Sequence, residues 1–318
     1  MTLDIGSCFH REQDSASVMD QARAVEDAGY DEFWVIEDCF YTAGPTLAAA
    51  SLAATESIAV GIGIMPTVAR NPAVTAMEIA TLGCLAPGRF HAGIGHGVQS
   101  WMAQMHEQRN SPLTMLSETL TAVRRLLAGE RVTIDGTYVS LDDVELDATP
   151  DPVPLVSAGV RGPKSLRIAG QCADGTIMAD FVSPTYLRWA NQQIAAEADH
   201  RITVFATMAI DADGAAMRQA MTPVLAQVCA EEHISLTMAP FYEELAEKAA
   251  KSSWETAVGA MPAEWWNQIA AVGTPDDAAQ YLAGLEAAGA HAVAFFPNPA
   301  EPIADLRRSI EYLRPGGR

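Results

Sequence analysis

The chain has 318 residues, with 40 Asp and Glu against 20 Lys and Arg, a formal charge of −20 at pH 7. At 49% hydrophobic and 19% charged, it is an ordinary globular composition, not a disordered one. The negative charge opposes a nucleic-acid partner, and no run approaches the ~20 apolar residues of a membrane-spanning helix. The opening MTLDIGSCFHREQDS lacks the basic start and apolar run of a signal peptide. Five widely spaced cysteines with no C-x-x-C pair argue against a disulfide framework and structural zinc, and predict a reducing cytoplasmic setting.

In chain order, short apolar runs alternate with helical patterns. A strand over 3–9 leads to a helix over 15–28, stopped by Gly29. A strand over 33–37 is followed by an Ala-rich helix from Pro45 to about Thr55. After a third strand over 58–64, Asn71-Pro72 caps and opens a helix to about Leu85. A fourth strand over 89–95 precedes a helix over 112–128. The segment 131–146 then reads as a β-hairpin around Asp135-Gly136. Strands over 154–159, 175–180 and 201–209 follow, with helices from Pro163 and Pro184 between them. A long helical stretch covers roughly 214–271. Thr274-Pro275-Asp276-Asp277 opens the next helix, 292–296 is the eighth strand, and 303–313 is the closing helix.

Eight strands, each followed by a helix, predict an α/β fold of the (β/α)8 TIM-barrel type. The strands lack polar alternation, as parallel strands buried on both faces should. An open doubly wound sheet is the runner-up. No low-complexity linker divides the chain. The expectation is one domain over 1–318, with a hairpin insertion at 131–150 and a helical insertion at 232–270.

Chemistry in such a barrel gathers at the C-terminal strand ends. Those ends carry His10, Asp38-Cys39, Gly63-Ile64-Met65, Gly95-His96-Gly97-Val98, Gly159-Val160-Arg161-Gly162 and Asp174-Gly175. Each glycine alone reads as a turn residue. Five successive ends with small or polar residues read instead as a floor for a flat ring. The G-I-G-H-G run at 93–97 is not a dinucleotide fingerprint, because it follows the fourth strand and not the first. The turn Ala158 to Lys164 runs into a helix N-terminus with Arg161 and Lys164 nearby. It suits a phosphate seat, the alternative being a solvated loop.

The stretch WVIEDCF…LAAASLAATESIAVGIGIMPTVARNPAVTAMEIATLGCLAPGRFHAGIGHG (34–97) resembles the luciferase-like flavin and deazaflavin oxidoreductases. LLAGERVTIDGTYV, PLVSAGVRGPKSLRIAGQCADGTI and GTPDDAAQYLAGLEAAGA follow in that family's order. The likeness is closest to the branch using coenzyme F420, which includes methylenetetrahydromethanopterin reductase and deazaflavin-dependent sugar-phosphate dehydrogenases. It implies a luciferase-like TIM barrel holding a deazaflavin or flavin over the strand ends. Gly63-Ile64 would form a non-proline cis peptide against the back of the ring, and Asp38 would contact cofactor or substrate. Gly95, His96, Gly97 and Val98 would line the ring, and Ala158, Gly159, Val160, Arg161 and Gly162 would receive the phosphate.

Two departures stand out. Cys39 occupies the place of the branch's usual His, and Val98 that of the sugar-phosphate dehydrogenases' Glu, which speaks against a sugar-phosphate dehydrogenase. The remaining acid–base candidates are His96, His10, Asp38 and the loop around Tyr41, with His96 favoured by its setting between glycines. His96 also reads as a cofactor contact or a structural histidine. Cys39 reads either as a packing residue or as a functional thiol. The resemblance implies hydride transfer between F420 and a small-molecule substrate, without metal. An FMN-dependent monooxygenase and a non-catalytic deazaflavin-binding protein are the alternatives. The aromatic-rich segment 230–268 is expected to help wall an apolar substrate pocket or to pack its own core. The family likeness also implies a homodimer.

Overall fold

The computed structural model describes residues 3–179, 181–197 and 199–314. Its strands are β1 (Asp4–Phe9), β2 (Glu32–Val35), β3 (Ala59–Pro66), β4 (Phe90–Gly95), β5 (Val132–Asp135), β6 (Ser140–Val144), β7 (Leu155–Gly159), β8 (Gly175–Ala179), β9 (Arg201–Ile210), β10 (Ala271–Gly273) and β11 (Ala292–Phe296). β1 to β4, β7 to β9 and β11 pair in parallel around a closed ring, with β11 lying between β9 and β1. This is the TIM barrel expected from the strand count. β10 adds three residues to the far end of β9, and β5–β6 form an antiparallel hairpin outside the ring.

The helices are α1 (Val18–Asp27), α2 (Gly44–Ala54), α3 (Pro72–Leu85), α4 (Gln99–Gln104), α5 (Pro112–Leu127), α6 (Pro163–Cys172), α7 (Pro184–Ile194), α8 (Gly214–Ala230), α9 (Ile234–Thr237), α10 (Tyr242–Ala250), α11 (Trp254–Gly259), α12 (Ala263–Trp266), α13 (Pro275–Ala287) and α14 (Pro302–Leu313). Proline in the first turn opens α2, α3, α5, α6, α7, α13 and α14, where a missing N–H costs no helical bond. Asn71, Ser111, Ser183 and Thr274 cap their helices by accepting first-turn N–H groups.

The expected long helix over 214–271 is broken into α8 to α12, with Pro223 inside α8. Its aromatics pack together: Phe241 stacks on Trp265 at 4.8 Å, Tyr242 meets Trp254 at 5.9 Å, and Trp266 is buried. They form the insertion's own core, and the substrate-wall expectation does not hold for them. The hairpin turns over 136–139, with Asp135 the last residue of β5 and Gly136 the first of the turn. The Glu118 carboxylate accepts the amides of Thr137, Tyr138 and Val139 at 2.8–2.9 Å.

Inside the barrel, Trp34 packs against Phe205 with ring centroids 5.2 Å apart. Gly61 makes room for it, since any Cβ there would collide with the indole. At the N-terminal end, Arg201 bridges Asp4 at 2.7 Å and buried Glu32 at 2.6 Å. The interior is thus closed from below, and the open end lies at the C-terminal tips of the strands. No described helix is long and apolar enough to cross a membrane.

Candidate active site

At the end of β3 the ladder with β4 shifts register between Ile62 and Met65, and the Gly63-Ile64 peptide is cis. Ile64 drops out of the ladder with β4, and glycines on β4 and β7 accommodate its side chain. A Cβ on Gly159 would lie 2.6 Å from Ile64 Cγ2, and one on Gly95 would lie 2.9 Å from Ile64 Cδ1. The glycines therefore make space that Ile64 fills. The floor above them is this side chain, not bare backbone.

A cavity of about 530 Å³ opens over Ile64. It brings together Asp38, Gly63, Ile64, His96, Gly97, Val98, Gly159, Val160, Arg161 and Gly162 from the sequence-based set. Gly97, at φ +68°, turns the chain after β4 in a conformation that side chains disfavour. Four expected residues are not part of the wall. Gly95 and Ala158 are buried within their strands, and Cys39 lies outside the lining. Burial and the neighbouring carboxylates of Glu37 and Asp38 push the Cys39 thiol up, so it is not an activated thiolate. His10 lines a second, adjoining cavity.

The cavity's far end is the start of α6. Gly162 is the N-cap, and a Cβ there would meet only Ser165 Oγ, at 3.7 Å, which leaves the approach open. The first-turn N–H groups of a helix have no intrahelical acceptor and attract anions. Ser165 is buried and lines the same end. Arg161 also lines it, with its guanidinium 2.9 Å from His233 Nδ1, while His233 Nε2 lies 2.9 Å from Glu231. Lys164 is exposed and outside the lining, so only one of the two expected cations faces this end.

The near end is organised by residues that sequence reasoning missed. Arg11 pairs with Asp38 at 2.7 Å and lies over the rings of Tyr41 at 4.9 Å and Trp101 at 5.8 Å. Beneath it, Arg70 grips Glu37 through two bonds of 2.5 and 3.0 Å and reaches Glu78 at 3.0 Å. Glu37 also accepts the Gly44 amide at 2.7 Å, which pins the loop carrying Asp38. Arg11 follows His10 directly, and an arginine at a strand tip was the available signal.

The two histidines differ. Burial pushes the pKa of His96 down, with a backbone bond to Pro112 acting in the opposite direction. Its Nδ1 is buried without a hydrogen-bond partner. Burial also lowers the pKa of His10, against the pull of Glu12 and Asp38. His10 Nδ1 accepts the Glu12 amide at 3.3 Å, which places the neutral ring's proton on Nε2. Neutral rings are expected at pH 7 for both.

A planar ring with a phosphate-bearing side chain suits this site. Ile64 offers an apolar brace and the open Gly162 turn an anion seat. The luciferase-like monooxygenase family model matches residues 4–292. The chain belongs to this family.

Among curated proteins, the chain is similar to a 5,10-methylenetetrahydromethanopterin reductase of Methanolobus tindarius, at 31% identity over 66% of each chain. It is 38% identical to an F420-dependent glucose-6-phosphate dehydrogenase of Beutenbergia cavernae, over 48% of this chain and 49% of the relative. The matched stretches thus span from about half to two thirds of these relatives' length. The fold resembles the coenzyme F420 dependent tetrahydromethanopterin reductase from Methanopyrus kandleri. Its TM-score is 0.79, with 21% identity, and the match covers 98% of this chain and 97% of the other.

Proposed function

We propose that this family member is an F420-dependent oxidoreductase that passes a hydride between the deazaflavin and a small organic substrate. The observation carrying the reading is the cavity over Ile64, which has an anion seat at one end and a second cavity opening from the other. The relatives' names favour F420 over FMN. When bound, the deazaflavin supplies the carbon that gives or takes the hydride.

The chain's own residues supply placement and polarity. Ile64 would brace the ring from behind, and the first-turn amides of α6 with Ser165 would hold the phosphate. His96 contributes to the wall of the same cavity. His10 presents Nε2–H to the adjoining cavity, where it stabilises negative charge on a substrate oxygen as a carbonyl is reduced. That oxygen then takes a proton from solvent. A neutral imidazole suits the role, and burial keeps it neutral. Trp101, Val98 and Phe296 line the cavity with apolar surface.

Titration with F420 and, separately, with FMN, followed by fluorescence, tests the reading. Saturable micromolar binding of F420, tighter than FMN, is expected. FMN binding with no response to F420 would contradict the cofactor assignment and favour a monooxygenase.

A further inference from the structure

The second cavity, of about 820 Å³, lies between the end of β9, α8, the residues after β11 and the start of α14. It shares Arg11, Ile36, Asp38 and Phe296 with the cavity over Ile64, so a molecule in it borders the proposed ring site directly. One wall is built from Met208, Ala209, Met217, Ala220, Met221 and Val224. Met217 and Met221 stand one helical turn apart on α8 and present flexible thioethers that adapt to an apolar body. His10 stands at the junction with its Nε2 lacking a partner among the described residues.

The charges of this chamber oppose an anionic occupant. Its two arginines face four carboxylates, those of Asp38, Asp211, Glu301 and Asp305. Both cations are engaged: Arg11 pairs with Asp38 at 2.7 Å, and Arg308 with Asp305 at 2.7 Å. A phosphate or carboxylate placed here would find no uncommitted cation among the described lining residues and a surplus of negative charge. A neutral molecule meets no such penalty.

We infer that this chamber is the substrate site and takes a neutral, predominantly apolar carbonyl compound or the matching alcohol. Its hydrocarbon body lies along the Met208–Met217–Met221 wall, and its oxygen meets His10 Nε2. The inference rests on the F420 reading only in calling the occupant a substrate. The binding site itself is a property of this chain.

Isothermal titration of the whole chain, with and without F420, against 2-nonanone and against glucose 6-phosphate tests it. Saturable binding of 2-nonanone and none of glucose 6-phosphate is expected in both states. Val224→Trp on the exposed side of α8 and Met221→Asp should each weaken 2-nonanone at least about tenfold. F420 affinity should stay within about twofold, which also reports intact folding. Failure of 2-nonanone to bind, binding unchanged by both substitutions, or preferential binding of glucose 6-phosphate overturns the inference. Loss of F420 binding by the unaltered chain in the parallel titration would instead remove the hydride-transfer reading, leaving the 2-nonanone result to stand or fall alone.

Discussion

Ile64 and His10 carry the account at the scale of single residues. Ile64 has its place because Gly93, Gly95 and Gly159 leave a trough for its side chain, and that requirement explains glycines which the sequence offers only as permissive turns. His10 is harder to read from sequence. The setting of His96 between two glycines makes it the more conspicuous histidine, yet the structure puts it beside the cavity over Ile64 and puts His10 beside the chamber. Which strand tip faces which cavity depends on ring closure, and no local pattern encodes it. His10→Ala should lower kcat for F420-dependent reduction of 2-nonanone by roughly 10²-fold, the scale of losing one oxyanion donor, with F420 affinity unchanged. An unaltered kcat would exclude the Nε2 contact.

Among the elements, helix starts were the most legible. A polar cap followed by proline announces α3, α5, α7 and α13 within a residue or two, because cap and ring satisfy the orphan N–H groups locally. α4 and β10 left no comparable signal. α4 spans six residues with only Met102 buried, and β10 is three residues whose pairing with β9 is long-range. The same distinction separates the two roles of the Arg70-Asn71-Pro72 run. The cap at Asn71 is local, whereas Arg70 reaches Glu37, 33 residues earlier, only because β2 and β3 pair. That contact fixes the loop after β2, on which Asp38 sits. Arg70→Met should strand the buried Glu37 carboxylate, at a cost of about 3 kcal/mol. In thermal unfolding that corresponds to a Tm lower by roughly 5 °C. A Tm within about 1 °C of the unaltered chain would show that Glu37 is held by the Gly44 amide alone.

For the molecule as a whole, continuous apolar strands and their number pointed to a closed α/β barrel, while the contacts made where the ring closes were not readable. Closure sets β11 against β1, which brings the His10 and Phe296 rings within 5.9 Å and joins both ends of the chain to the β9–α8 wall of the chamber. The aromatics of 254–266 show the converse. Their composition suits a pocket wall or a local core equally well, and only the Phe241–Trp265 and Tyr242–Trp254 pairings decide for the core.

Histidine burial also acts at this scale. His10, His91, His96, His200 and His291, five of the seven histidines, have pKa values lowered chiefly by desolvation. The unfolded chain therefore binds more protons than the folded one as the pH drops through the unfolded histidine value near ~6.5. Stability should be full above that value and decline as pH falls from about 7 towards 5.5. A further loss at lower pH is expected as Glu26, Glu118 and Asp277, whose pKa values hydrogen bonds hold down, become protonated. Urea unfolding across this range measures it, and a stability that rises on acidification from pH 7 to 5.5 would contradict the assignment.

The most direct measurement is a crystal structure of the chain soaked with F420. The deazaflavin ring is expected against Ile64, its phosphate within hydrogen-bonding distance of the α6 first-turn amides and Ser165, and the chamber beside His10 left clear. A ring bound away from Ile64, or a phosphate seated elsewhere, would contradict it.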